Sequence, residues 1–422
     1  MKRYIQNFDE LAVTKERVDL LTIIESAYES IDTKNIIEQN LKVDNNILTI
    51  KDNHFNLNDF DHIYLIGFGK TSSIAVSAIE NILGDRITGG IVMDKKIGEC
   101  KYVKQYVCTH PKPSLGNILP SEELAQLAKK LDEKDLAIVV VSGGGSSMLC
   151  WPKSECEQGI ILYDEFLKSG GNITELNTLR KHLSLLKGGG LAKLLYPATV
   201  ASLIFCDVPG DKFEEVASGP TYKDTSFIED AEAILSKYNI PFNLNLNETP
   251  KEDIYFKKVY NIPLVTNSHA LVGMENKARE LGYNVYNIGA ELYQESKVII
   301  EKLLQNAKPH SVVIGAGEPS VIVKGERGIG GRCQNLTIES LSMISPDDAI
   351  SSFASDGIDN LSRSAGAIAD HITIKKVTEN NISIEKNKNE NTIDEFFSQT
   401  KDQIITGETG SNVSDLMILL RK

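Results

Sequence analysis

Residues 136–141, LAIVVV, are apolar at every position and run straight into SGGGSS at 142–147. A strand with no polar face is buried on both sides, so it needs helices above and below its sheet. The same pattern recurs along the chain. HIYLIGF (62–68) passes through GK into TSSIAVSAIENIL (71–83), whose apolar spacing is helical. GGIVMD (89–94), KQYVCTH (104–110) and TVASLIFC (199–206) read as further strands, and PSEELAQLAKKL (120–131) as a helix. Alternation of this kind is the mark of an α/β fold with a parallel sheet flanked by helices. Ligands of such sheets bind beyond the carboxyl ends of the strands. GFGK and SGGGSS both fall there.

The chain has 422 residues, too many for one hydrophobic core. Two α/β domains are expected, each a mostly parallel sheet with helices on its faces: a Rossmann-like domain over 1–245 and a smaller one over 246–422. PFNLNLNETPKED (241–253) is polar and turn-like and serves as the expected linker. SVIVKG (320–325) reads as a strand, and 380–398, poor in apolar residues, as a surface segment. The closing ITGETGSNVSDLMILL supplies a turn and a last strand, a candidate to rejoin the N-terminal domain.

A hydrophobic content of 41% with 24% charged residues belongs to a soluble globular protein. The net charge of −13 argues against nucleic acid as a main partner, because phosphate backbones need a basic face. The six cysteines form no CxxC pair and the seven histidines no HExxH, which argues against structural zinc and suits a reducing compartment. The N-terminus is polar and charged, and no apolar run approaches the ~20 residues of a membrane span. A cytoplasmic protein without membrane contact is expected.

Several loops carry residues suited to an anion. In GFGKTS (67–72) the N–H groups around Gly67 and Gly69 can face a negative charge with a helix dipole behind them. The spacing is a degraded dinucleotide fingerprint, with Asp94 where a ribose-binding acid would stand. Lys70 at a helix start opposes the macrodipole, so its presence points to an anionic ligand. Ser142, Gly143, Gly144, Gly145, Ser146 and Ser147 offer bare backbone and hydroxyls. NTLRKHLSLLKGGGLA (177–192), read as one helix, gathers Arg180, Lys181, His182 and Lys187 in an otherwise acidic protein. These are candidates for binding substrate or nucleotide.

CDVPGDKFEEVASGPT (206–221) puts Asp207 at a strand end and Asp211 four residues on. Two such carboxylates can hold Mg²⁺ through water and phosphate oxygens, although aspartate is also an ordinary turn residue. In GAGEPSVIVKGERGIGGRCQN (315–335), Glu318 lies just past a strand and is a further candidate ligand for the metal. Gly330 and Gly331 offer bare backbone there, and the Arg332 fork can grip a carboxylate or phosphate. ASDGID (354–359) places Asp356 and Asp359 at another strand end, and TGETGSN (406–412) is one more glycine-and-hydroxyl loop.

Taken in order, IGFGK, THPKPS, DLAIVVVSGGGSSML, LNTLRKHLSLLKGGGLA, CDVPGDKFEEVASGPTYKD, GEPSVIVKGERGIGGRCQN, SDGIDNLSRSAGAIAD and TGETGSNVSDLMILL resemble the glycerate 2-kinase family, from about residue 62 to the end. The resemblance implies a Rossmann-like N-terminal domain, a MOFRL-type C-terminal α/β domain, and an active site in the interdomain cleft. It implies transfer of the γ-phosphoryl group of ATP to D-glycerate, giving 2-phosphoglycerate, with Mg²⁺ or another divalent cation. Lys70 matches the family's lysine after its first glycine loop, Arg332 the arginine of its GGR motif, Glu318 the glutamate of GE, and Asp356 the aspartate of its TDG-like block. With Asp207 these are the candidate catalytic residues. Cys333 and Asn335 stand where the family usually has an amide and an acid, HPKPSLG lacks the acidic pair of HPxPDE, and GETGSN replaces GPTGTN. A kinase of another small hydroxy acid is therefore an alternative. An NAD(P)-dependent hydroxypyruvate reductase built on GFGKTS and Asp94, and a non-catalytic binding protein, are the others. The expected partners are ATP and D-glycerate, within a homo-oligomer such as a dimer.

Overall fold

The computed structural model describes residues 2–208, 210–240, 244–321 and 328–422. The chain divides into two compact units. One is Ile36–Leu264; the other joins Met1–Asn35 to Val265–Lys422.

The unit Ile36–Leu264 opens with an antiparallel meander of β1 (Leu41–Asp44), β2 (Ile47–Ile50) and β3 (Asn53–Asn56). Its main sheet has six strands in the order β6-β5-β4-β7-β8-β9. These are β4 (His62–Phe68), β5 (Gly89–Asp94), β6 (Lys104–Val107), β7 (Asp135–Ser142), β8 (Thr199–Phe205) and β9 (Val259–Val265). The pairings β4–β5, β4–β7, β5–β6 and β7–β8 are all parallel, as expected. All eight residues of β7 are buried, which explains why none of Leu136–Val141 is polar. From β4 the chain builds the sheet outward through β5 and β6, then returns to start at β7 and builds the other way. The switch point of this topology thus lies between β4 and β7, where open α/β sheets bind their ligands.

The other unit carries a second six-stranded sheet in the order β10-β11-β15-β12-β13-β14. Its strands are β10 (Asn284–Asn287), β11 (Ser311–Gly317), β12 (Asp348–Ala354), β13 (Gly366–Ala369), β14 (Gln403–Ile404) and β15 (Asp415–Arg421). The α/β class holds here too, but the sheet is mixed and not mostly parallel. Among the described residues only β10–β11 is a parallel pairing of its strands; the other four pairings are antiparallel. The cause is β15, which slots between β11 and β12 and runs against both. Its residues Asp415–Leu420 are buried, so this apolar strand forms the centre of its own sheet and does not rejoin the N-terminal part of the chain.

It is the N-terminus that crosses over. Helix Lys15–Ser30 packs against helix Asn267–Glu280 of the same unit. Arg17, only 1% exposed, donates from Nε and Nη2 to the Asp370 carboxylate at 2.7 Å each, and from Nη1 to Asp402 at 2.8 Å. Removing one member of such a buried network leaves the others' charge uncompensated. Arg17→Ala is expected to cost ~3–5 kcal/mol, read from urea denaturation.

The division also falls away from the expected linker. Residues 244–253 are tied into the first unit: the Asn247 backbone N–H donates to His182 O at 2.6 Å, and Thr249 Oγ1 to Asp224 at 3.1 Å. In the tail, helix Ile393–Thr400 buries Ile393, Phe396 and Phe397 in the core, so 380–398 is not merely surface. The expected strand at 320–325 falls largely outside the described residues. Among the described residues no helix is long and apolar enough to cross a membrane.

Candidate functional site

At the switch point of the parallel sheet the two glycine loops are sewn to one another. Lys70 N donates to Gly143 O at 2.8 Å, and the Ser142 hydroxyl donates to Lys70 O. Gly69 has φ of +108°, and a Cβ there would lie 2.3 Å from Ser142 O, so only glycine permits the approach. Gly67 lies inside β4, packed on Val76 and Val92. Lys70 is half-buried at the turn into helix Ser72–Leu83.

Asp94 does not project as a ribose-binding acid. It is buried, and its Oδ2 accepts from Ser73 N at 3.0 Å and Ser73 Oγ at 2.7 Å. Burial pushes its carboxyl up, against the bonds from Ser73. The acid on which a dinucleotide reading relied is thus a helix-terminus acceptor.

The serines of SGGGSS extend the surface. Gly144 and Gly145 lead into the short turn Gly145–Met148. Ser146 Oγ lies 2.9 Å from Ser218 Oγ, which reaches Asn177 Oδ1 at 3.3 Å. Ser147 Oγ donates to Gly144 O at 2.9 Å and lies 3.1 Å from His110 Nδ1. Ser218 is delivered by a strained turn in which Ala217 (φ +52°) and Ser218 (φ +59°) are both left-handed. Two consecutive non-glycine residues in that region are uncommon and cluster at functional sites. His110, Asn177 and Ser218 were not singled out from sequence. THPKPS and ASGPT carry no such mark within themselves, and only the fold brings His110 and Ser218 to SGGGSS.

The basic stretch separates Arg180 from three side chains committed to internal contacts. The helix runs Ile173–Leu183 and stops there, not at 192, because Ser184 leaves helical geometry. Lys181 Nζ pairs with Glu215 at 3.0 Å and Asp224 at 3.3 Å. His182 is fully buried, with Nδ1 2.9 Å from Asn247 O and Nε2 3.1 Å from Ser226 Oγ. Lys187 is buried against Glu155 and also donates to Leu149 O at 2.8 Å. Burial pushes the Glu155 carboxyl up, while Lys187 opposes the shift. These three side chains hold the loops together. Arg180 lines a cavity with Ser146 and Ser147, and the Lys187–Glu155 pair lies in its wall. Asp207 is half-buried just past β8, and Asp211 is an exposed turn residue with φ of +54°.

The second set of residues lies in the unit containing β15. Arg332 opens helix Arg332–Ser340. Its Nε donates to Asp415 Oδ2 at 2.8 Å, and its outer nitrogens reach Glu318 at 3.3 and 3.4 Å. Burial would lower the guanidinium pKa, but Asp415 and Glu318 outweigh it and hold the group charged. Asp415 was not singled out from sequence, since it merely opens an apolar strand. Burial pushes its carboxyl up to about 6, opposed by Arg332. Asp356 lies at the turn after β12, with Oδ1 accepting from Ile358 N at 3.2 Å.

The amides after the GIGG run are already engaged. Asp359 accepts from Cys333 N at 3.1 Å and Gln334 N at 2.8 Å. A Cβ on Gly331 would fall 1.9 Å from Asp359 Oδ1, so this glycine makes room for a carboxylate of the chain itself. Gly330 packs beside Asn391 and Ile393. Burial first, then the charge of Asp415, pushes Asp359 up to about 7. A raised carboxyl favours the folded state while protonated in both states, and that contribution is lost as pH rises from about 4 to about 7. The Tm advantage of the wild type over Asp359→Asn is therefore expected to be largest near pH 4 and to shrink by pH 7. Scanning calorimetry across that range checks it.

Among the described residues no group of three or more His, Cys, Asp or Glu side chains is placed to hold a metal ion. Glu318, one of the expected ligands, is taken up by Arg332. No metal-dependent step is built from these side chains.

Glycine–serine loops at a switch point, a lysine on the first of them and an oriented arginine on a second sheet define an α/β protein equipped for anionic ligands. Comparisons with known proteins narrow this further. The domain of unknown function DUF4147 matches residues 19–248 and the MOFRL family residues 311–415. A glycerate 2-kinase of Pyrococcus horikoshii is 32% identical over 95% of this chain and 96% of its own length. A putative hydroxypyruvate reductase of Agrobacterium vitis is 29% identical over 84% of this chain and 86% of its own. The crystal structure of glycerate kinase from Thermotoga maritima superposes with a TM-score of 0.80 at 28% identity, covering 95% of this chain and 98% of that one. The chain belongs to the glycerate 2-kinase family.

Proposed function

We propose that this protein transfers the γ-phosphoryl group of ATP to the 2-hydroxyl of D-glycerate, releasing ADP and 2-phosphoglycerate. The observation that carries the reading is near-full-length similarity to a protein named glycerate 2-kinase. The site chemistry agrees with it. Phosphoryl transfer asks a protein mainly for positioning and for neutralisation of negative charge. The Lys70 side chain and the serines of the 142–147 loop stand at a sheet's switch point, while the Gly69 and Lys70 N–H groups are spent on Met93 O and Gly143 O. Arg332 keeps its Nε on Asp415 and offers outer nitrogens that Glu318 holds only at 3.3–3.4 Å. An incoming anion gains those nitrogens by displacing a half-exposed carboxylate.

In the proposed step the glycerate oxygen bonds to phosphorus as the bond to the ADP oxygen breaks. The hydroxyl proton passes to a carboxylate, for which Asp207 at the end of β8 and Asp356 are the candidates. Lys70 is the proposed cation for the charge on the transferring group, and Arg332 is a proposed grip for an anionic group of a ligand. A divalent cation such as Mg²⁺ accompanies ATP, held chiefly by the nucleotide's own phosphates. The protein is proposed to act in the cytoplasm, as a homo-oligomer. ADP release coupled to pyruvate kinase and lactate dehydrogenase tests the activity. ADP formation that depends on D-glycerate supports the reading. Oxidation of NAD(P)H by hydroxypyruvate in the absence of ATP overturns it in favour of the reductase.

A further inference from the structure

We infer that the cavity beneath Arg180 is the subsite for the carboxylate of the hydroxy-acid acceptor, an assignment that rests on the kinase reading. Two observations carry it. The first is charge. The Arg180 side chain is half-buried, yet forms no ion pair among the described residues. Its neighbours are the Asn177 amide oxygen at 3.4 Å and the Tyr163 ring at 6.0 Å. The other cation of the cavity, Lys187, is matched by Glu155. One uncompensated positive charge remains. A half-buried charge is costly unless paired, so the site is complete only with an anion present.

The second is the wall. Ser146 and Ser147 line the same space and bring hydroxyls that can pair with those of a hydroxy acid. Leu162, Leu176 and Leu183 close the other side and offer polar groups nothing. A guanidinium fork can hold a carboxylate in two parallel hydrogen bonds.

The same chemistry would accept a nucleotide phosphate, and kinetics separate the two. Charge-assisted hydrogen bonds of ~1.5–3 kcal/mol correspond to ~10- to 150-fold in affinity. In Arg180→Gln the KM for D-glycerate is therefore expected to rise by ~10- to 150-fold, with the KM for ATP within about threefold of the wild type. Glycerol, which lacks the carboxylate, serves as the comparison acceptor. The preference for D-glycerate over glycerol should shrink by the same factor. Arg180→Lys, which keeps the charge and loses the fork, should fall between the two and covers the case of a glutamine variant that fails to fold. A rise in the KM for ATP with that for D-glycerate unchanged would assign the cavity to the nucleotide and overturn the proposal. Unchanged values for both would overturn it as well. Should the wild type not phosphorylate D-glycerate, the kinase reading falls, and calorimetric titration with D-glycerate still decides the subsite. Binding lost in Arg180→Gln upholds it; binding retained in the variant, or absent in the wild type, does not.

Discussion

Replacing Lys70 with alanine lowers kcat/KM for D-glycerate by about 10²- to 10³-fold in a protein that stays folded. The structural contacts of Lys70 that bind the two loops are made by its backbone. Its N–H donates to Gly143 O and its carbonyl accepts from Ser142, and alanine keeps both. The substitution therefore keeps these backbone bonds and removes the side-chain ammonium. A preorganised charge aimed at a transferring phosphoryl group is typically worth several kcal/mol of transition-state stabilisation. Circular dichroism and Tm report whether the loops survive, and steady-state kinetics report the charge. Turnover within about threefold of the wild type would place Lys70 outside the chemistry.

Arg332→Ala should lower kcat/KM by a similar ~10²-fold or more, and its structural effect should differ. Arg332 pairs with Asp415, which is buried, so alanine strips a counter-charge as well as a ligand. The Asp415 carboxyl, already pushed up to about 6, should rise further, because Arg332 is what holds it down. Stability near neutral pH should fall, by less than the ~3–5 kcal/mol of a fully buried pair, because the arginine side chain is 43% exposed. Arg332→Lys separates the two effects. It keeps a cation near Asp415 but cannot present two parallel donors. Recovery of stability without recovery of kcat is the expected pattern. Recovery of both would mean that the arginine acts as a point charge alone.

Much of the parallel sheet was legible in the sequence. β7 has no polar face, and its glycines come directly after its last residue, so its burial and its ligand-binding end follow from local pattern. The second sheet was not, because its order rests on a non-local choice. Nothing in LMILL states that it will insert antiparallel between β11 and β12. Arg17 reads as an ordinary helix residue until Asp370 and Asp402, more than 350 positions away, are placed around it. The same limit applies within the site. Arg180, Lys181 and Lys187 look alike as charges, and what distinguishes them is which distant carboxylates the fold supplies. Glu215 and Asp224 silence Lys181, and Glu155 silences Lys187. Gly331 was read as room for a ligand, but the room is filled by Asp359. A sequence shows where bare backbone and charge occur; only the packing shows what already occupies them.

The identity of the phosphorylated product is the most direct test. Purified protein is incubated with ATP, Mg²⁺ and D-glycerate, and the product is passed to enolase with and without phosphoglycerate mutase. Phosphoenolpyruvate formed without the mutase identifies 2-phosphoglycerate, which is the result expected here. Phosphoenolpyruvate formed only with the mutase would identify the 3-phosphate, and no ATP-dependent product in either arm would remove the kinase assignment itself.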